Sequence, residues 1–250
     1  MCHSYLLQKL QAAKKLIIVL FQTDSFNYIC RMINWWKILG IVCVFYAIIG
    51  GMLMPVPKLD ILEQSIRNLY YHVPMWFGMI LLLLASTINA INYLRKSDIR
   101  YDIRSEQQAR VGILFGVMGL VTGMIWAKNT WGAYWTNDPK LNSAAIGMLM
   151  YLAYIVLRGS IEDDEKRARV SAVYNIFSFP VFVVLIFILP RLTDSLHPGN
   201  GGNPGFNSYD LDSRLRMVFY PAVIGWTLTG FWIAQLYTRY KQLQWNKNNR

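Results

Sequence analysis

The sequence predicts an all-α, polytopic membrane protein, a bundle of six transmembrane helices with its N- and C-termini cytoplasmic. Three observations carry this. Hydrophobic residues make up 54% of the 250 positions and charged ones only 16%, where a soluble domain carries about 25% charge. Six apolar runs reach the roughly 17–25 residues that a helix needs to cross a bilayer. Lys and Arg alternate in density from one connector to the next, as cytoplasmic and external loops do. The length suits one bundle without a large soluble domain.

Residues 1–31 precede the first run. Their apolar stretch, LIIVLF, is too short for a signal peptide, and no small-residue cleavage site follows it. Leu6, Leu10, Ala13 and Ile17 share a helical face while Lys9, Lys14 and Lys15 lie elsewhere. This describes either a basic interfacial helix or an upstream extension ahead of Met32 in MINWWKIL. The six-helix region covers 32–237, with spans at 38–54, 73–94, 111–127, 141–157, 171–189 and 217–237. Asn142 and Ser143 dilute the start of the fourth, and Pro180 and Pro221 predict kinks in the last two. A basic cytoplasmic tail, 238–250, follows.

Eighteen Lys and Arg fall in the N-terminal segment, the 95–110 and 158–169 loops and the tail, against seven in the alternate connectors. The net charge of +11 is thus explained by membrane topology rather than by nucleic acid. Both termini face the cytoplasm, and the connectors around 128–140 and 190–216 face outward. Cys2, Cys30 and Cys43 show no paired spacing and read as packing residues. The turn HPGNGGNPG lacks the Lys-Ser/Thr and strand–helix setting of a phosphate loop, and reads as a flexible extracytoplasmic turn.

Of three histidines, His3 sits at the terminus, while His72 and His197 fall on the same, outer side of the membrane. In YYHVPMW, Pro74 suits a first helical turn, which places His72 at the N-terminal end of the second span. There the helix dipole disfavours imidazolium, leaving the neutral form that binds metal. His197 follows Pro190, which ends the fifth span. Two neutral imidazoles from separate connectors can supply both axial ligands of a haem iron, or be two unrelated interfacial histidines. Between them lies NTWGAYWTNDPKLN. Trp126, Trp131, Tyr134 and Trp135 can form an interfacial belt or, clustered with Gly132 and the Asp138-Pro139 turn, a shelf for a flat macrocycle.

VTGMIWAKNTWGAYWTNDPKLNS resembles the tryptophan-rich motif, W-G-x-W-W-x-W-D, of the haem-handling proteins of cytochrome c maturation. RNLYYHVPMW and LHPG resemble the histidine segments that flank it. Over roughly residues 33–237 the chain looks like the CcmC family, the haem exporter protein C group. The resemblance implies non-covalent haem b held by His72 and His197, and a haem-contacting loop of Trp126, Trp131, Tyr134, Trp135 and Asp138. It also implies propionate contacts from Arg67 and Lys140, which match the family's basic positions before the first His and after the motif's Asp. Lys in place of the usual Arg at 140 turns a forked pairing into a point-charge contact. Tyr134 and Asn137 stand where the family usually has Trp.

The implied function is a haem-binding protein of a bacterial inner membrane, with its site on the periplasmic side. It would present haem to the haem chaperone CcmE, with CcmA, CcmB and CcmD as complex partners and no catalysis of its own. The chain has no Walker motif, so any ATP dependence belongs to a partner. One alternative is a reduced synthase like CcsA or CcmF, larger proteins that normally carry two further histidines within their spans; none occurs here. Another is a haem or solute carrier, which calls for ionisable residues deep in the spans. The spans offer instead Asn89, Thr122 and Asn175.

Overall fold

The computed structural model describes residues 34–58, 62–197 and 211–248, and every regular element among them is helical. Helix α1 (Trp35–Leu53) is followed by a 3-10 turn (Glu63–Asn68) that leads into α2 (Leu69–Lys96). Then come α3 (Ile99–Trp131), α4 (Pro139–Gly159), α5 (Asp164–Val183) and α6 (Ser213–Asn248). The end of α5 passes through a π turn (Val184–Ile188) and a 3-10 turn (Leu189–Arg191). Six helical segments are long and apolar enough to cross a membrane, as the sequence predicts. The basic segment 1–31, with Cys2, His3 and Cys30, lies outside the described residues, as does the HPGNGGNPG turn beyond His197. Cys43 is a free thiol in α1. The chain divides into two compact units, Met1–Leu39 and Gly40–Arg250, and the bundle from Gly40 onward is the second.

Aspartates start three of the helices. Asp98, Asp138 and Asp163 each accept backbone N–H groups from the first turn of α3, α4 and α5 respectively, which satisfies donors that no helix can pair internally. Most helix ends overrun the apolar runs, and two of them bear on the histidines and tryptophans. α2 begins at Leu69 on the back of the 3-10 turn, so Pro74 lies inside the helix rather than in its first turn. α3 runs past Ala127 to Trp131, where Gly132, at φ +80°, forms a left-handed cap and Lys128 Nζ donates to the Gly132 carbonyl at 2.8 Å. Only glycine takes that conformation without strain. The expected tail from 238 is helical as far as Asn248, a direct continuation of α6.

The core is assembled from Met79, Leu82 and Leu83 of α2, Phe115 of α3, Tyr151 of α4 and Phe182 of α5. Outward, Leu84, Ile88, Val121, Leu149 and Phe177 are exposed, a surface suited to acyl chains and not to water. Inside, polar side chains bind helices together, as they do where lipid removes the hydrophobic drive between them. Asn175 Nδ2 donates to Ser86 Oγ at 2.7 Å, and Ser86 Oγ donates to the Ser105 carbonyl at 2.6 Å, joining α5, α2 and α3. Near the opposite end of α4 from Asp138, Arg158 is buried against Asp102 of α3. The two make a forked pair at 2.8 and 2.5 Å, with Glu106 a further 3.3 Å contact.

α1 meets α6 at Gly225. A Cβ there would stand 2.8 Å from the backbone nitrogen of Val44 and 2.9 Å from the carbonyl carbon of Cys43. Backbone cannot yield as a side-chain tip can, so Gly225→Leu has to part the helices. We expect it to cost about 1–3 kcal/mol, read as a lowered thermal midpoint of the detergent-purified chain.

Candidate paired-histidine site

His72 occupies the first turn of α2 and leans across to α3. Its Nδ1 lies 2.9 Å from the Gly119 carbonyl oxygen and 3.3 Å from Thr122 Oγ1. A carbonyl only accepts, so Nδ1 carries the proton and, in the neutral ring, Nε2 presents a bare lone pair. The approach needs a residue without a side chain at 123, because a Cβ on Gly123 would stand 2.7 Å from His72 Cε1. Two indoles flank the ring edge-on, Trp76 at 6.4 Å and Trp126 at 5.9 Å between centroids. Trp126 is itself tied by Nε1 to Ser65 Oγ at 3.2 Å, and Asn68 Nδ2 reaches the Thr122 carbonyl at 2.9 Å. The 3-10 turn, α2 and α3 therefore share one polar seam around the imidazole.

His197 reaches the same end of the bundle from the segment after α5. Its Nδ1 lies 2.9 Å from Asp138 Oδ1, and Trp131 packs edge-on against it at 4.8 Å. Asp138 is buried, and burial works against its charge. Hydrogen bonds from the Leu196 N–H, the Ser195 hydroxyl and the Leu141 N–H, with His197 beside it, outweigh that and hold the carboxyl below its usual range. An ionised carboxylate only accepts, so His197 also carries its proton on Nδ1 and has a bare Nε2. Burial, aided by the Lys140 ammonium, pushes the His197 imidazole down to about 4 against the pull of Asp138. The ring is neutral at physiological pH.

Trp126 and Trp131 belong to the last turns of α3 rather than to a loop. The connector proper is 132–138, with Tyr134 and Trp135 both exposed. Trp135 Nε1 donates to Asn142 Oδ1 at 3.2 Å, and Lys128 lies 5.7 Å from the Tyr134 ring centre; neither aromatic makes a ring contact with an imidazole among the described residues. Arg67 is half committed. It donates from Nη1 to the carbonyls of Gly51 and Met54, at 2.5 and 2.9 Å, closing the C-terminal end of α1. Its Nε donates to Gln64 at 2.9 Å, which leaves Nη2 for another acceptor. Lys140 is half-buried, within electrostatic reach of His72, His197 and Asp138.

Sequence reasoning missed the residues that orient the rings. Gly119, Thr122 and Gly123 sit in an apolar run, and Ser195 in a short polar connector, with nothing in their spacing to mark them. Trp76 was legible, being four residues after His72 on one helix and so on the same face.

Paired imidazoles with proton-bearing Nδ1 and open Nε2 are suited to two axial positions of a planar chelate. No group of three His, Cys, Asp or Glu side chains able to hold a bare ion occurs among the described residues. The fold and this site define a polytopic helical membrane protein with a paired-imidazole, tryptophan-flanked centre at one end of its bundle. The family model of CcmC, Heme exporter protein C, matches residues 18–249, and the chain belongs to that family.

Among curated relatives, the Heme exporter protein C of Paracoccus denitrificans is 26% identical over 205 residues, 80% of this chain and 80% of its own length. A putative cytochrome c biosynthesis ccmC-like mitochondrial protein of Marchantia polymorpha is 30% identical over 111 residues, 44% of this chain. The match spans about half of that relative, 46%. A cytochrome c biogenesis protein CcsA of Prochlorococcus marinus is 34% identical over 92 residues, 37% of this chain and 29% of its own.

Proposed function

We propose that this chain handles haem for cytochrome c biogenesis, holding it at the extracytoplasmic face of a bacterial inner membrane and handing it on without catalysis of its own. The observation that carries this reading is the acceptor facing Nδ1 of each histidine, the Gly119 carbonyl at His72 and the Asp138 carboxylate at His197. His72 and His197 each spend Nδ1–H on a fixed acceptor and keep Nε2 open, the arrangement of axial haem ligands. Trp126 and Trp131 wall the two rings, and Tyr134 and Trp135 extend an apolar surface into the exposed connector. Nη2 of Arg67 and the ammonium of Lys140 are the cations for the propionates.

Haem is cargo here. Two imidazoles give a closed, six-coordinate state suited to holding iron rather than to oxygen chemistry. The exposed connector leaves one edge open to an acceptor, which in the CcmC system is the chaperone CcmE, with CcmA, CcmB and CcmD as further partners.

The test is the absorption spectrum of the detergent-purified chain with haem added, oxidised and reduced, beside His72→Ala and His197→Ala. The expected result is a low-spin spectrum that turns high-spin or disappears in each variant. A wild type that takes up no haem would sink the reading. The likeness to CcsA supports a second reading, a small cytochrome c synthase. In that case expression with an apocytochrome and no chaperone yields covalent haem; if this chain only presents haem, it does not.

A further inference from the structure

We infer that Asp138 is the positioning residue of His197, a carboxylate that aims and strengthens an iron ligand rather than a member of the haem-contacting surface. The inference rests on the haem reading above and goes beyond it, because the family resemblance implies that Asp138 is one of the groups that touch the macrocycle. Asp138 is 3% exposed and its oxygens are fully subscribed. Oδ1 accepts from the Lys140 N–H at 2.9 Å, the Leu141 N–H at 3.3 Å and His197 Nδ1 at 2.9 Å. Oδ2 accepts from Ser195 Oγ at 2.8 Å and the Leu196 N–H at 2.7 Å. A carboxylate offers about four lone-pair sites, so five donors leave nothing to point at a porphyrin.

The same five bonds define a clasp. Two come from the first turn of α4 and fix the carboxylate to a rigid helix. Three come from Ser195, Leu196 and His197 and fasten the following segment to it. Ser195 Oγ in turn accepts the His197 N–H at 3.1 Å, so backbone and ring of His197 are held together. With Trp131 packed against the ring, the direction of Nε2 is set before any ligand arrives. The two imidazoles are not equivalent. His72 leans on a neutral carbonyl, that of Gly119, whereas His197 leans on a carboxylate, that of Asp138. A carboxylate behind an imidazole raises its basicity toward the metal and favours the more positive, oxidised iron.

Asp138→Asn tests this with little change of shape, since Asn is also a good helix cap. In the full-length chain in detergent, we expect the variant to bind added haem about 10–100-fold more weakly and to show a higher midpoint potential. A merely structural cap would leave the potential unmoved. Wild-type affinity and potential in Asp138→Asn overturn the positioning role while the haem reading stands. A wild type that binds no haem overturns both.

A second measurement needs no change at 138. In His197→Gly, imidazole can refill the gap with an N–H facing Asp138, whereas 1-methylimidazole cannot. The expected result is low-spin haem restored at about tenfold lower concentration of imidazole. Equal restoration by the two bases overturns the inference.

Discussion

Arg158→Met is expected to destabilise the bundle by about 3–5 kcal/mol, read as a large fall in the thermal midpoint of the purified chain. The guanidinium and Asp102 are both about 5% exposed at the side chain, and the forked geometry satisfies both carboxylate oxygens. Removing the cation alone strands a buried carboxylate whose other neighbour, Glu106, is also negative. Replacing both partners at once, Asp102→Leu with Arg158→Met, should recover most of the loss, because a buried pair contributes little over well-packed apolar residues. A single variant as stable as the double would show that Asp102 finds other partners and that the pair does not tie α3 to α4.

Gly123→Ile is expected to remove the haem spectrum of the proposed paired-histidine site although it alters neither proposed ligand. A Cβ at 123 stands 2.7 Å from His72 Cε1 and 3.2 Å from Nδ1, so the ring must leave the Gly119 carbonyl that sets its tautomer. The expected outcome is high-spin haem and an affinity at least about tenfold lower, the scale on which outer-shell partners act. Gly159→Ala is the matched control, since a Cβ there meets nothing within 4 Å. If Gly123→Ile kept the low-spin spectrum, His72 would have to reach the iron from another rotamer.

The spans were legible because a bilayer crossing has to be apolar along its length, and hydropathy alone finds it. Helix ends were not. Lys128, Asn129 and Thr130 look like the start of a loop by polarity, yet they continue α3, because a helix emerging into water no longer has to be apolar and Gly132 supplies the stop. The partition of cations was legible in sum but not one by one. Arg158 counts as a cytoplasmic loop charge by sequence and is a buried partner of Asp102 in the fold. Arg67, matched by its distance from His72 to a propionate contact, also closes the carbonyl end of α1.

At the site, the ligand candidates were visible because so few histidines occur. What orients them was hidden. Asp138 and His197 are 59 residues apart, and only the return of α5 beside α4 brings them within a hydrogen bond. From its sequence Asp138 reads as part of a turn with Pro139, which the fold turns into the cap of α4, and a residue with one sufficient local role gives no sign of a second.

The clasp at Asp138 has a consequence for the order in which the protein is made. A chain grows from its N-terminus, so His72 and both indoles of α3 are complete long before the segment that carries Ser195 and His197. Until α4 and α5 have been inserted and the segment after α5 lies beside α4, one imidazole stands alone, and Asp138 can only cap its own helix. The closed centre is thus withheld until five of the six helices are in the membrane. A nascent chain that ends before α5 brings only His72 to the proposed haem site, and the second imidazole arrives with the nearly finished fold.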